Sequence, residues 1–387
     1  MRPRRLLLLG GGHAHLHVLR EFAADRPTRV SIALVSAAPE LTYSGMVPGV
    51  VAGRYRSDEC RIPLAPLARR AQIDFSIGEA IAIDAASRRV SLALPEGAEK
   101  VVEYDLLSID IGGAMARDTI AGAADHALFV RPIDRFLVEL AKRLPATRSA
   151  AAAAANRRPA GNGQAVASNL GAVVIGGGAG GFELALALRA RLDAGTAVHL
   201  VSGGPLLAAH SAALRRRARR ALARRAVALH EALCTVIAHD HVVLETGGSI
   251  ACNVAIVATG SIAPAWLRGS GLALDADGYL ATGPTLQSLS HDEVFAAGDV
   301  ATRADAPRPR NGVHAVRAGP PLARNLRLVV EGQPSLPYRP QRHALSLLSC
   351  GDGEAIAEWG RWSVEGRAIG RWKDRIDRAF VALNRVA

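Results

Sequence analysis

Leu6-Leu7-Leu8-Leu9-Gly10-Gly11-Gly12 and, 166 residues later, Ala172-Val173-Val174-Ile175-Gly176-Gly177-Gly178 decide how this chain folds. Leu34-Val35-Ser36 with Pro39 returns at the same offset as Leu200-Val201-Ser202 with Pro205. An offset that holds across unrelated residue types marks an internal repeat. Each copy reads as a buried strand, a glycine turn, a helix of about a dozen residues and a second apolar strand, which is how a doubly wound nucleotide-binding sheet begins.

Outward from these turns the copies stay parallel. A third strand is expected at 73–77 and an antiparallel meander at 80–84 and 89–94, followed by the apolar run that ends in Ile111-Gly112-Gly113. The second copy answers with 226–230, 234–238 and 241–245, then Val257-Ala258-Thr259-Gly260-Ser261. Between Gly112 and Gly260 the offset has fallen to 148, so the first copy carries about 18 extra residues, which we place in 43–66 as a functional candidate. The alanine-rich stretch at 149–163 reads as a linker. A helix is expected near 313–330, and a small domain from about Leu336 holds Trp359, Trp362 and Trp372, for which core packing is the first reading and an acceptor pocket or interfacial patch the second. The fold class is therefore α/β: two Rossmann-like dinucleotide-binding domains plus a small C-terminal α+β domain.

Composition agrees and excludes much else. The 387 residues are 49% hydrophobic and 21% charged, which rules out disorder, collagen and a coiled coil. No apolar run approaches the roughly 18 residues of a membrane span. The N-terminus briefly imitates a signal peptide, but its leucines stop at Gly10, so a cytoplasmic protein is expected. Four scattered cysteines, Cys60, Cys234, Cys252 and Cys350, form no C-x-x-C and no metal spacing. The net charge of +12 rests on 44 arginines against Lys100, Lys142 and Lys373. The one dense basic run, Arg215 to Arg225, lacks the interleaved aromatics of a nucleic-acid binder and reads as a solvated helix face, an anionic partner being the alternative.

Two glycine turns imply two nucleotide cofactors. The second is complete: Gly176 for the tight turn, Gly178 for close approach to a pyrophosphate, Gly181 for helix packing, with the helix N-terminus facing the anion. In the first, Gly10 and Gly12 are present but His15 holds the third glycine position. Ser36 and Ser202 stand where an acidic residue usually grips the adenosine ribose, so NADH and NADPH remain equally open. Gly298-Asp299 closes an apolar strand, where Asp299 can accept from ribityl hydroxyls. His13 and His17 share metal-ligand spacing, but no acidic residue completes a site and none is assigned.

These stretches, with Tyr43 to Gly49, Asp58-Glu59-Cys60, Gly181-Phe182-Glu183, Gly312 to Arg317 with Gly319-Pro320, and Trp372 to Arg378, resemble the pyridine nucleotide-disulfide oxidoreductase superfamily in its type II NADH dehydrogenase-like branch. More closely, the chain is similar to the flavoprotein module associated with selenide, water dikinase. The resemblance implies a glutathione-reductase-like flavoprotein fold. Residues 1–115 would begin an FAD domain, 116–167 would be a connecting helix and linker, 168–284 an NAD(P) domain, 285–332 the rest of the FAD domain, and 333–387 a C-terminal domain. It implies FAD on Gly10, Gly12, His13, Ala14, His15, Ser36, Pro48, Gly112, Gly298, Asp299, Arg317 and Gly319, with a helix N-terminus near Arg317–Gly319 facing the reduced flavin. NAD(P)H falls to Gly176, Gly178, Gly181, Ser202, Thr259 and Gly260. Glu183 would lie near the nicotinamide, unless it is simply a solvent-facing helix residue.

Three functions follow from these expectations. The first is an FAD-dependent NAD(P)H oxidoreductase passing hydride to flavin and electrons to a quinone-like or other small-molecule acceptor. The second oxidises sulfide or selenide with Cys60 or Cys350, as sulfide-oxidising relatives do with two distant cysteines, although two small buried residues are the simpler reading. The third is a redox-sensing partner of selenide, water dikinase. A homodimer and peripheral contact with the inner face of a membrane stay open, and nucleic acid is not expected.

Overall fold

Leu6 and Leu8 point into one apolar cluster and Leu7 and Leu9 into another, because their strand lies in the middle of a sheet covered on both faces. A computed structural model describes residues 3–144 and 171–385; the expected linker at 149–163 lies outside them. The first sheet is five parallel strands in the order Val294–Ala296, Leu106–Ile109, Arg4–Leu9, Val30–Ser36, Asp74–Ile77. One cluster joins it to the helices His13–Ala24 and Gly312–Val330, the other to the meander Glu79–Asp84, Arg89–Ala93 and Glu99–Glu103.

The second sheet repeats this order with Ala127–Phe129, Ser249–Val257, Gly171–Ile175, Val198–Val201 and Val227–His230. Its meander, Cys234–Ile237 and His241–Leu244, runs on into Ser249–Val257. Each sheet takes its outermost strand from outside its own repeat: Val294–Ala296 follows the whole second repeat, and Ala127–Phe129 precedes it. The residues expected as a connecting helix and linker thus supply that helix, Ile133–Arg143, and also a strand that was not expected. The two crossing segments pair with each other, Ala114 and Ile262 exchanging backbone hydrogen bonds of 2.9 Å in both directions.

The strand registers place the extra residues of the first copy. Leu9 and Ile175, Ser76 and His230, and Ile109 and Val257 occupy equivalent positions, at offsets of 166, 154 and 148. Two-thirds of the excess therefore lies between the second and third strands and the remainder in the meander, not all in 43–66 as expected. The larger part forms an arm in which Glu40–Thr42 pairs with Arg61–Pro63 around short helical turns at Ser44–Met46, Val47–Val51 and Ser57–Cys60. Met46 and Cys60 bury into the first domain, Val47 and Val51 into the second.

The C-terminal domain is a three-stranded antiparallel sheet, Ser346–Ser349, Ala355–Trp359 and Trp362–Gly366, followed by the helix Arg367–Asn384. The arginine run is solvated at Arg216, Arg219 and Arg220, as expected, but its other face docks this domain. Arg225 donates to Asp352 at 2.9 Å and Glu354 at 2.7 Å, Arg217 lies 3.7 Å from Glu365, and the buried Glu358 accepts from His210 Nδ1 and the Ser211 amide. The tryptophans correct the core-packing expectation: Trp359, Trp362 and Trp372 are 51%, 81% and 45% exposed.

Candidate functional site

The first glycine turn is shaped by a carboxylate that motif reading missed. A Cβ on Gly10, at φ +96°, would collide with the Asp110 carbonyl, and one on Gly12 with the Asp110 carboxyl group. Gly12 is the N-cap of the helix His13–Ala24 and has no side chain to cap it. Asp110, buried, supplies the cap: Oδ2 accepts from the Ala14 amide at 2.7 Å and the His15 amide at 3.0 Å. Burial pushes its carboxyl up to about 6 against the pull of those amides.

His15 fills the missing third glycine position as a core residue. It is fully buried, with Nδ1 2.6 Å from Gly10 O and Nε2 2.8 Å from Ser108 Oγ. A carbonyl only accepts, so Nδ1 carries the proton and Nε2 accepts from the serine. Burial lowers the imidazole to about 4 and keeps this tautomer neutral. Both nitrogens are spent inside the fold, which corrects the expectation that His15 contacts a cofactor; the Ala14 amide is likewise taken. His13 differs: its buried Nε2 has no partner, and its ring stands 5.8 Å from Tyr43 and 5.9 Å from Phe380.

Gly298-Asp299 meets this turn. Gly298, at φ +77°, leaves space where a Cβ would sit 2.5 Å from Asp110 Oδ1, and Asp299 accepts from Arg131 Nη2 at 2.8 Å. Gly112, at φ +74°, faces the same guanidinium, and Ser36 Oγ lies beside Gly11. Pro48 is buried in the first turn of its short helix in the arm. Two expectations fail nearby. The helix Gly312–Val330 begins five residues before Arg317, with Asn311 accepting from the His314 amide at 3.0 Å, and Arg317 is exposed in its second turn. A Cβ on Gly319 would lie 2.6 Å from that of His17, so this glycine serves a close helix crossing, not a cofactor.

The second turn is open. Gly176, at φ +137°, abuts Ala258 O, and a Cβ on Gly181 would overlap Gly176 O, which is the close helix packing expected there. A Cβ on Gly178, Gly180 or Gly260 would meet nothing within 4 Å. This empty rim, at a helix N-terminus without side-chain caps, fits an anionic dinucleotide. Thr259 follows the strand Ser249–Val257 toward that rim. Ser202 is buried and donates to Gly204 O at 2.6 Å, so it offers the ribose no carboxylate.

Behind both turns, three chain segments bring titratable groups together. Glu183, on the helix Ala179–Arg191, accepts from the Ser349 amide at 2.7 Å, and burial pushes its carboxyl up to about 7 although Lys373 pulls the other way. It is half-buried against the C-terminal sheet. Lys373 Nζ donates to Gly45 O at 2.8 Å and Asp377 Oδ2 at 2.7 Å, and Tyr43 donates to Asp377 Oδ1 at 3.2 Å. Tyr43 stacks on Phe380 with ring centroids 4.5 Å apart. The sequence held one signal for this cluster: Lys373 is one of three lysines among 44 arginines.

The cysteines are placed for packing. Cys60 is buried with Sγ–H donated to Ser57 O at 3.1 Å, and burial raises its thiol. Cys350 is buried and pushed up to about 12. Neither holds a ready thiolate, which counts against the nucleophile expected at Cys60. Among the described residues no cluster of His, Cys, Asp or Glu could hold a metal, and no helix is long and apolar enough to cross a membrane.

A family model described as pyridine nucleotide-disulphide oxidoreductase matches residues 4–319. The chain belongs to this family. It is an FAD-dependent NAD(P)H oxidoreductase. This oxidoreductase is 24% identical over 370 residues to demethylphylloquinone reductase NdbB of Synechocystis sp., covering 93% of its own chain and 87% of the relative. In fold it is similar to NDH2 of Plasmodium falciparum, solved in complex with NADH, with a TM-score of 0.79 at 13% identity over 99% and 97% of the two chains. It is also similar to the sulfide:quinone oxidoreductase of Aquifex aeolicus, with a TM-score of 0.74 at 18% identity over 99% and 92%.

Proposed function

We propose that FAD lies on the first turn and Asp299, that NAD(P)H lies on the open rim of the second, and that electrons leave the flavin for a quinone-class acceptor. When bound, FAD takes hydride from the nicotinamide and passes on two electrons. Gly178 and Gly260 leave the dinucleotide room, and Asp299, oriented by Arg131, receives ribityl hydroxyls. The observation that carries the acceptor class is the hydrogen-bonded set Tyr43, Asp377 and Lys373, the last two buried, with the half-buried Glu183 beside it. Hydride transfer between two cofactors needs no such set. Turning a quinone and NAD(P)H into a quinol and NAD(P)⁺ consumes one proton from the medium, and these hydrogen-bonded groups can hold and relay one. The relative named for demethylphylloquinone supports the same class.

The acceptor's approach follows from the surface of the C-terminal domain. Trp359, Trp362, Val364, Trp372, Ile376 and Leu383 are exposed. Residues 372, 376 and 383 fall on one stripe of the helix Arg367–Asn384, with Arg371 and Arg375 beside it, the pattern of a helix lying in an anionic lipid interface. Peripheral attachment there would place the arm and Lys373 near dissolved quinone.

The test is anaerobic reduction by NADH and by NADPH, then reoxidation by a short-chain quinone or by ferricyanide, which takes electrons without protons. Lys373→Met slows the quinone step at least tenfold and leaves flavin reduction and ferricyanide turnover unchanged. Equal rates with quinone in variant and wild type sink the acceptor assignment.

A further inference from the structure

The first turn holds a buried carboxyl group of its own at the helix N-terminus. Asp110 is buried and takes the Ala14 and His15 amides of the same helix N-terminus whose dipole attracts a pyrophosphate. The glycines around it are what make room for it: side chains at Gly12 and Gly298 would both run into the Asp110 carboxyl group. The titratable groups facing Asp110 are His13 from the helix His13–Ala24 and Asp299 from the segment packed over the turn, with Arg131 beside both of those. Arg131 is spent on Asp299, and burial holds His13 neutral. Among the described residues that face Asp110, none is a free cation that would balance a second anion.

We propose that FAD binding is coupled to the uptake of one proton by Asp110, the carboxylate that caps the first helix inside the pyrophosphate cradle. This rests on FAD occupying the first turn. Two negative groups sharing one helix terminus in a water-poor site raise each other's proton affinity. A protonated Asp110 still accepts both amide hydrogen bonds through its carbonyl oxygen, so the helix cap survives while the charge conflict goes. The carboxyl of the empty protein, already lifted by burial, starts within reach of neutral pH. Affinity for FAD is then highest and flat in mild acid. Above the carboxyl's range in the empty protein it weakens by up to about tenfold per pH unit, until the range in the loaded protein is passed.

The experiment is FAD release from the holoprotein on dilution, followed by flavin fluorescence between about pH 5.5 and 8.5. Wild type shows at least tenfold weaker binding at the alkaline end. Asp110→Asn, which keeps an acceptor for the amides and cannot ionise, binds FAD with a flat profile and at alkaline pH at least as tightly as wild type. His13→Gln keeps the wild-type slope. A flat wild-type profile, or a slope that survives Asp110→Asn, overturns the proposal, and loss of the slope in His13→Gln assigns the proton to His13 instead. Should Asp110→Asn not fold, the infrared difference spectrum of wild type on loading FAD decides instead: a protonated carboxyl band must grow, and its absence refutes the coupling. Gly10→Ala and Gly176→Ala separate this from the site assignment, because FAD lost from the second and kept in the first means the cofactor sits elsewhere.

Discussion

Glu183→Gln isolates the cost of keeping a carboxyl group between the second domain and the C-terminal sheet. Glutamine still accepts from the Ser349 amide, so packing and the hydrogen bond are retained and only the titratable proton is lost. Burial raises this carboxyl from 4.5 to about 7. At about 1.36 kcal/mol per unit the shift is worth about 3 kcal/mol, and about 2 once the solvent that still reaches the side chain is allowed for. Because the folded value is the higher one, folding holds the proton more tightly than unfolding does. That stability is complete below the unfolded value near 4.5 and is lost as pH rises through 7. Wild type should therefore give up about 2 kcal/mol between pH 5 and pH 8 that the glutamine variant keeps. Urea unfolding of both FAD-saturated proteins at the two pH values measures this as a difference of differences. A value below about 0.5 kcal/mol, or of opposite sign, would show that Glu183 is ionised in its pocket and refute the burial argument.

The second turn gives a cleaner localisation test, since a Cβ on Gly178 meets no protein atom: Gly178→Ala should leave the melting temperature within about 1 °C and raise the KM for the nicotinamide cofactor at least tenfold. Gly181→Ala, which runs into the Gly176 carbonyl, should lose stability and nucleotide binding together. Cys60→Ser with Cys350→Ser should leave reduction by NAD(P)H unchanged and confer or remove no sulfide-dependent bleaching; a sulfide reaction that disappears in the pair would revive the thiol mechanism. Arg225→Ala strips the partner from two carboxylates and should destabilise the C-terminal domain by about 2 kcal/mol, seen as faster limited proteolysis there while the glycine turns keep their cofactors.

The repeat made the fold legible, because strand, glycine turn and strand are local patterns, and an offset shared by unrelated residues has no cause other than shared structure. The glycines of the turns were legible for the same reason. What stayed hidden was long-range. Asp110 acts on amides 95 residues earlier in the chain, and Arg131 on a carboxylate 168 residues later. His15 looked like a ligand because histidines usually are exposed to one; only the partners Gly10 O and Ser108 show that it is a core residue. The arginine run looked solvated because the acids that meet it come from the last strands of the chain. The tryptophans misled in the opposite sense, since hydrophobic character signals burial only when something is there to cover it.

The exchanged outer strands limit how this protein can be cut. A fragment spanning only the second repeat would leave Ser249–Val257 as a bare edge where Ala127–Phe129 belongs, and a fragment ending before Val294 would do the same to Leu106–Ile109. Such edges invite intermolecular pairing. Neither half is a portable module, so a chimera that swaps nucleotide preference must graft at the paired crossing of Ala114 and Ile262 and carry the donated strand with it.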